Sequence, residues 1–118
     1  MSGLSSIFSM TAFQSTALGA GTYQSGPIAP AGEAEHVLLF VDVSAASGTT
    51  TSLTVELQTS PDGTTWTTVT RSATTPITTS SGSAMGYAET DDEYVQVVAI
   101  VAGTGTPTVT FSVKAVLL

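Results

Sequence analysis

The sequence predicts an all-β protein, an antiparallel β-sandwich of jelly-roll or immunoglobulin-like type with an extended N-terminal arm. Three observations carry this expectation. β-Branched residues alternate with polar ones at a period of two along much of the chain. Clusters of Gly, Pro, Ser and Asp interrupt the alternation at short intervals. No apolar spacing of 3.6 residues persists for the length of a helix.

The elements follow in order. Residues 1–32 carry no charge, and the first part of this segment holds Leu4, Ile7, Phe8, Met10 and Phe13 among Ser and Thr. It is too apolar for a solvated tail and too short for a core of its own, so it must dock. It can lie on its own domain as an edge strand or reach onto a neighbouring subunit; an added strand gains main-chain hydrogen bonds in either case. On the second alternative these five side chains are the candidate interface. The chain divides into an N-terminal arm with a first edge strand, 1–30, and a β-sandwich domain, 31–118.

Within that domain, LTVELQT (53–59) alternates cleanly, with Leu53, Val55 and Leu57 expected inward and Thr54, Glu56 and Gln58 outward. Val109, Phe111, Val113, Ala115 and Leu117 form the inward set of a last strand. Two further segments, HVLLFVDV (36–43) and YVQVVAIV (94–101), are apolar on both faces. A strand of that kind is either covered twice or keeps one face for another subunit. Segments 44–51, 71–86 and 102–107 are rich in turn residues and are expected to be loops. About seven or eight strands in two sheets are expected.

The stretch TSPDGTTWTTV (59–69) holds the only tryptophan, Trp66. Pro61 supplies the fixed φ of a turn, Asp62 an acceptor for nearby backbone, and Gly63 access to positive φ, so the stretch reads as a hairpin between 53–59 and 65–69. It also comes close to the S-x-D-x-G-x-T-W box of sialidases. Here the pattern runs one residue short and occurs once, in a chain too short for a propeller.

Composition narrows the function. The 118 residues, 42% of them apolar, fit one domain. Nine acidic residues face only Arg71 and Lys114, for a net charge of −7. No basic patch is available to neutralise phosphates, which argues against nucleic acid and against an anionic membrane as partners. Charged residues make up only 9% of the chain, against about 25% in ordinary soluble domains. Hydroxyl-bearing surface is easily desolvated against a neighbour, so a protein partner and a homo-oligomer, a trimer among the options, are expected.

Chemistry finds little to use. Cysteine is absent, so neither disulfides nor thiolate metal sites contribute. The N-terminus lacks the basic and continuous apolar regions of a signal peptide, and no apolar run approaches a membrane helix, so the chain reads as soluble and unprocessed. His36, the single histidine, heads an apolar strand with no nucleophile signature around it and reads as structural. The acidic run Glu89, Asp91, Asp92 and Glu93 lacks the spacing of a calcium loop and reads as a solvated turn. The expectation is a non-enzymatic protein with no catalytic, cofactor-binding or metal-binding residue.

The segments FVDVSAASGT (40–49), LTVELQTSPDGTTW (53–66) and EYVQVVA (93–99) together resemble small β-sandwich structural proteins of tailed bacteriophages. The likeness covers roughly residues 36–118 and leaves the arm uncovered. Gln96 stands where such chains are expected to carry Arg. The resemblance implies a capsid decoration, or cement, protein that binds across capsid subunits of the head, with the major capsid protein or other virion proteins as partners. Its implied location is the virion, assembled in the host cytoplasm. Alternatives are a tail-tube, tail-fibre or head–tail connector component and, from another class, a carbohydrate-binding module in which Trp66 with Tyr87 or Tyr94 stacks on a sugar.

Overall fold

The computed structural model describes residues 8–28, 36–69, 82–89 and 94–117. They form one antiparallel sheet of six strands: β1 (Phe8–Gly19), β2 (Gly21–Gln24), β3 (His36–Ser60), β4 (Thr67–Thr68), β5 (Gly82–Glu89) and β6 (Tyr94–Leu117). No helix occurs among the described residues.

Two long strands frame the sheet. β3 has 25 residues and β6 has 24, several times the usual length of about 5–6, and they pair from Val37↔Leu117 to Ser60↔Tyr94. At one end β1 pairs with β6 along 108–117, and β5 with β3 along 36–43. At the other, β2 pairs with β6 along 98–101, and β4 with β3 along 58–59. The sheet thus has two halves that share their central strands, and it curls so that both inner faces build one core.

The period-two pattern explains the core. Val37, Leu39, Val41 and Val43 of the first half, and Leu53, Val55 and Leu57 of the second, lie on the same side of β3 and are at most 2% exposed. Their counterparts on β6 are Val95, Val97, Ala99 and Val101, then Val109, Phe111, Val113, Ala115 and Leu117, all at most 3% exposed. The inward sets expected for 53–59 and 109–117 are therefore found inward.

Segments 44–51 and 102–107 are not the loops expected of them. Both continue their strands, and the pairing of β3 with β6 shifts register between Val43 and Ala45, Ser47 and Thr49, and Thr49 and Ser52. Such irregularities bend and twist a ladder without ending it. The bend is tight: a Cβ on Gly48, whose φ is +102°, would lie 2.7 Å from the Pro107 Cα. Side chains close the remaining gaps, Thr51 Oγ1 donating to the Ser47 carbonyl at 2.7 Å and Thr104 Oγ1 to the Thr49 carbonyl at 3.3 Å. Turn-forming residues here mark a corner of a continuous ribbon, so each long strand replaces two expected ones. One curled sheet is described in place of two separate sheets with seven or eight strands.

A second correction concerns 82–86, expected to belong to a loop and found in β5. Ala84, Gly86 and Ala88 take register positions opposite Val41, Leu39 and Val37, so the positions of this strand that pair with core residues are small. Its large apolar residues face outward, which inverts the pattern by which a strand is recognised. Residues 71–81 of that expected loop lie outside the described residues.

The N-terminal segment is placed from Phe8 onward. Phe8, Met10 and Phe13 take register positions opposite Leu117, Ala115 and Val113 of β6, three residues that are themselves fully buried. The Phe13 ring packs 5.7 Å from that of Phe111, at an interplanar angle of 50°. Beyond Gly19, Tyr23 donates its hydroxyl to the Gly19 carbonyl at 2.7 Å. Ser25 exchanges backbone and side-chain hydrogen bonds with Val97, and Ile28 bridges to Val95 and enters the core.

Candidate functional site

The two halves differ in what they present outward. On the first half, residues directly opposite one another on β5, β3 and β6 form rows across the sheet. Tyr87, Leu38 and Val116 make one row, and Met85, Phe40 and Lys114 the next. Phe40, Met85 and Tyr87 are 42%, 61% and 46% exposed, while Leu38 and Val116 are half-buried. Five large apolar side chains thus form a contiguous patch on a sheet face. A patch of this kind with a polar rim is the mark of an interaction site.

The rim is polar on both sides. Below the patch lies the row Ser83, Asp42 and Ser112. A shallow depression lies between the two rows, lined by Phe40, Met85, Asp42, Ser83, Ser112 and Lys114 among others. Above it His36 and Glu89 stand opposite each other. The His36 ring stacks on Tyr87 at 5.7 Å and 20°, and His36 Nδ1 lies 2.6 Å from the Tyr87 hydroxyl. The Tyr87 hydroxyl also donates to Glu89 Oε1 at 3.3 Å, so an imidazole N–H donating to the phenol oxygen satisfies both contacts. Partial desolvation first, and the Glu89 carboxylate second, raise the Tyr87 pKa, which keeps the phenol protonated as a donor. The cluster is open to solvent, with His36 and Glu89 side chains 40% and 72% exposed. It fixes the Tyr87 ring at the edge of the patch.

The second half is quiet by comparison. Its outer face carries Thr54, Glu56 and Gln58 of β3, as expected, beside Gln96, Val98 and Ile100 of β6. Gln96 is 2% exposed and donates its amide to Gln58 Oε1 at 2.7 Å, while Gln58 Nε2 donates to Thr68 Oγ1 at 3.4 Å. The neutral amide expected to be replaced by Arg in similar chains is here paired within the sheet.

The hairpin at the end of this half has the turn that its residues predict. Asp62 Oδ1 accepts from the Thr64 and Thr65 backbone N–H groups, each at 2.9 Å, and from Ser60 Oγ at 2.8 Å. Ser60 Oγ in turn accepts from the Gly63 N–H at 2.8 Å, and Gly63 has φ +82°. These donors, Thr65 first, hold the Asp62 carboxyl below the usual carboxylate range. Trp66 is half-buried between the turn and β4.

Of the five candidate interface residues, Leu4 and Ile7 lie outside the described residues. Phe8 and Met10 are placed on β1, and Phe13 is partly buried against the core of its own sheet. Of the two pairs in the sugar-stacking alternative, Trp66 and Tyr87 lie at opposite halves of the sheet, whereas Tyr94, opposite Ser60, lies at the same end as the Trp66 hairpin, its ring beside Gly63. Asp91, Asp92 and Glu93 lie outside the described residues, and Glu89 ends β5. The reading of the sequence missed Met85, and it named Tyr87 only as a partner of Trp66, not as part of this face. Their signal was available: Ser83, Met85 and Tyr87 alternate with Ala84, Gly86 and Ala88, a large-out, small-in strand. The partner face on 36–43 was legible from its two apolar sides.

Comparison with known proteins places this fold. No protein-family model matches the sequence, and no curated protein is similar to it in sequence. Solved structures do match in fold. The PBSX exported protein XepA aligns over 93% of this chain and 36% of its own, with a TM-score of 0.68 and 12% identity. The SPBc2 prophage-derived protein YomS aligns over 94% of this chain and 91% of its own, with a TM-score of 0.51 and 10% identity. The VP2 subviral particle of infectious bursal disease virus aligns over 93% of this chain and 32% of its own, with a TM-score of 0.56 and 9% identity. The chain therefore spans about a third of XepA and of VP2 and nearly all of YomS. It shares an all-β fold with phage-derived and viral-particle proteins.

Proposed function

We propose that the protein is a non-enzymatic structural component of a bacteriophage virion, and specifically a capsid decoration protein. It binds the outside of the head across neighbouring subunits of the major capsid protein, and it is located in the virion after assembly in the host cytoplasm. The observation that carries this reading is the fold: a curled antiparallel sheet similar to that of two prophage proteins and of a capsid protein. The low content of charge and the exposed apolar rows of the first half support it, because surface of this kind is buried at low desolvation cost. Acting in many copies, such a protein stabilises a shell by mass action, since each bound copy must dissociate before the subunits beneath it separate.

The test is cryo-electron microscopy of phage particles carrying a C-terminal tag on this chain. Regular density over the head surface is the expected result. Density along the tail or at the head–tail junction would replace decoration with a tail or connector role, and particles without the tag would remove the chain from the virion. Incubating undecorated heads with the purified chain, followed by co-sedimentation, gives the binding stoichiometry.

A further inference from the structure

We propose that the outer face of the first half is a self-association surface, and that its occupant is the same face of a second copy of this chain. The inference concerns the isolated chain and does not depend on where in a virion it acts.

The first argument is charge complementarity. Asp42 and Lys114 lie on this face on adjacent strands and in adjacent rows, Asp42 opposite Ser112 and Lys114 opposite Phe40. Among the described residues the only contact at ion-pair distance is His36 Nδ1 with Glu89 Oε1 at 4.0 Å, so neither Asp42 nor Lys114 has an ionic partner among them. A two-fold axis lying in the face and passing close to Phe40 exchanges their positions. It sets Asp42 of one copy over Lys114 of the other, twice, and brings the two Phe40 rings together. An isologous contact needs a self-complementary patch of this kind.

Charge balance supplies a second argument. The chain carries −7 overall, which opposes association of like copies at long range. On this face Asp42 and Lys114 cancel and Glu89 stands only at the rim, so the centre of the contact area carries no net charge. Lys114 is one of only two cations in the sequence, and it lies beside the exposed aromatic centre of the patch.

Shape agrees with the same occupant. A sheet face packs readily on another sheet face, and the shallow depression beside Phe40 gives room for an aromatic ring from across the axis. With strands about 4.8 Å apart and residues about 3.3 Å apart, the three-strand face offers on the order of 400 Å². That is roughly half of the 800 Å² per partner of a standard interface. The association is accordingly weak in free solution, with a dissociation constant on the order of 10–100 μM.

Sedimentation equilibrium of the full chain over a range of concentrations tests this. The wild type should show a reversible monomer–dimer equilibrium. Phe40→Asp should abolish it, whereas Thr54→Asp, on the outer face of the other half, should leave it unchanged. Asp42→Lys and Lys114→Asp should each weaken the dimer about threefold to tenfold, and the double swap should restore it. Asp42→Lys is the discriminating variant. It replaces a negative charge by a positive one, lowering the magnitude of the net charge, so long-range repulsion alone would make it associate more tightly. Melting curves on every variant separate loss of contact from loss of fold. A wild type that stays monomeric at millimolar concentration would overturn the proposal. So would a double swap in which the two losses add, or a dimer indifferent to Phe40→Asp.

Discussion

The two halves of the sheet share their central strands and their inner pattern, yet differ on the outside. Inside, Val and Leu on β3 and β6 recur at every second position in both halves and merge into one core. Outside, the first half shows Phe40, Met85 and Tyr87 to solvent, while the second links the Gln96 and Gln58 amides and the Thr68 hydroxyl across three strands. The inner faces thus account for the fold, and the outer faces divide the labour. One is finished within the chain, and the other is left with apolar surface that has no cover from its own sheet among the described residues.

The largest expected effect contrasts two phenylalanines on opposite faces of the same half. Phe111 is fully buried and touches the Phe13 ring, so Phe111→Ala should destabilise by about 3–5 kcal/mol through lost transfer energy and a residual cavity. Phe40→Ala removes a side chain that is 42% exposed and should cost no more than about 1 kcal/mol. Urea denaturation midpoints of the two variants check this. Similar losses would mean that the outer face is as structural as the inner one.

Next in size is the corner that joins the halves. Gly48→Ala places a methyl 2.7 Å from the Pro107 Cα at a φ of +102°. Backbone strain of about 1–3 kcal/mol adds to a clash that only movement of β6 relieves, for a total of roughly 2–4 kcal/mol. The inner and outer faces of both halves keep all their side chains in this variant. A thermal melt no lower than that of the wild type would show that the corner is looser than the close approach implies.

How much of this was legible follows from the kind of signal each part gives. Alternation is a local property, so the inward sets 53–57 and 109–117 and the hairpin at Ser60–Gly63 could be read directly. The corner was not, because Gly, Ser and Thr serve equally for a loop and for a bulged strand, and only pairing with a distant strand decides between them. β5 was hidden for a related reason: its inward residues are Ala and Gly, and its large residues are the exposed ones. Half of the candidate site, Leu38 and Phe40, was visible as an apolar second face on 36–43. The other half, Met85 and Tyr87, becomes part of a site only when β5 is paired to β3. Phe13 illustrates the converse. An apolar residue in an uncharged arm announces that it must be buried but does not say against which chain, and here its ring meets Phe111.

The smallest effect belongs to the hairpin at the far end of the second half, and it depends on pH. Asp62 accepts two backbone N–H groups and the Ser60 hydroxyl, and these hold its carboxyl below the usual range. A carboxyl that is more acidic folded than unfolded stabilises the fold at pH above its unfolded value of about 4. That contribution is lost as the pH falls below this value and through the folded one. Asp62→Asn keeps an acceptor oxygen in place but does not titrate. The wild type should therefore melt slightly above the variant from pH 5 to 7, and the gap should narrow steadily as the pH is lowered from 4 to 2. The site is solvent-exposed, which keeps the gap small, so the narrowing and not its size is the informative quantity. Melting temperatures of both proteins in matched buffers across this range provide the measurement. A gap that stays constant down to pH 2 would show that the turn is held by its geometry alone, with no contribution from the charge on Asp62.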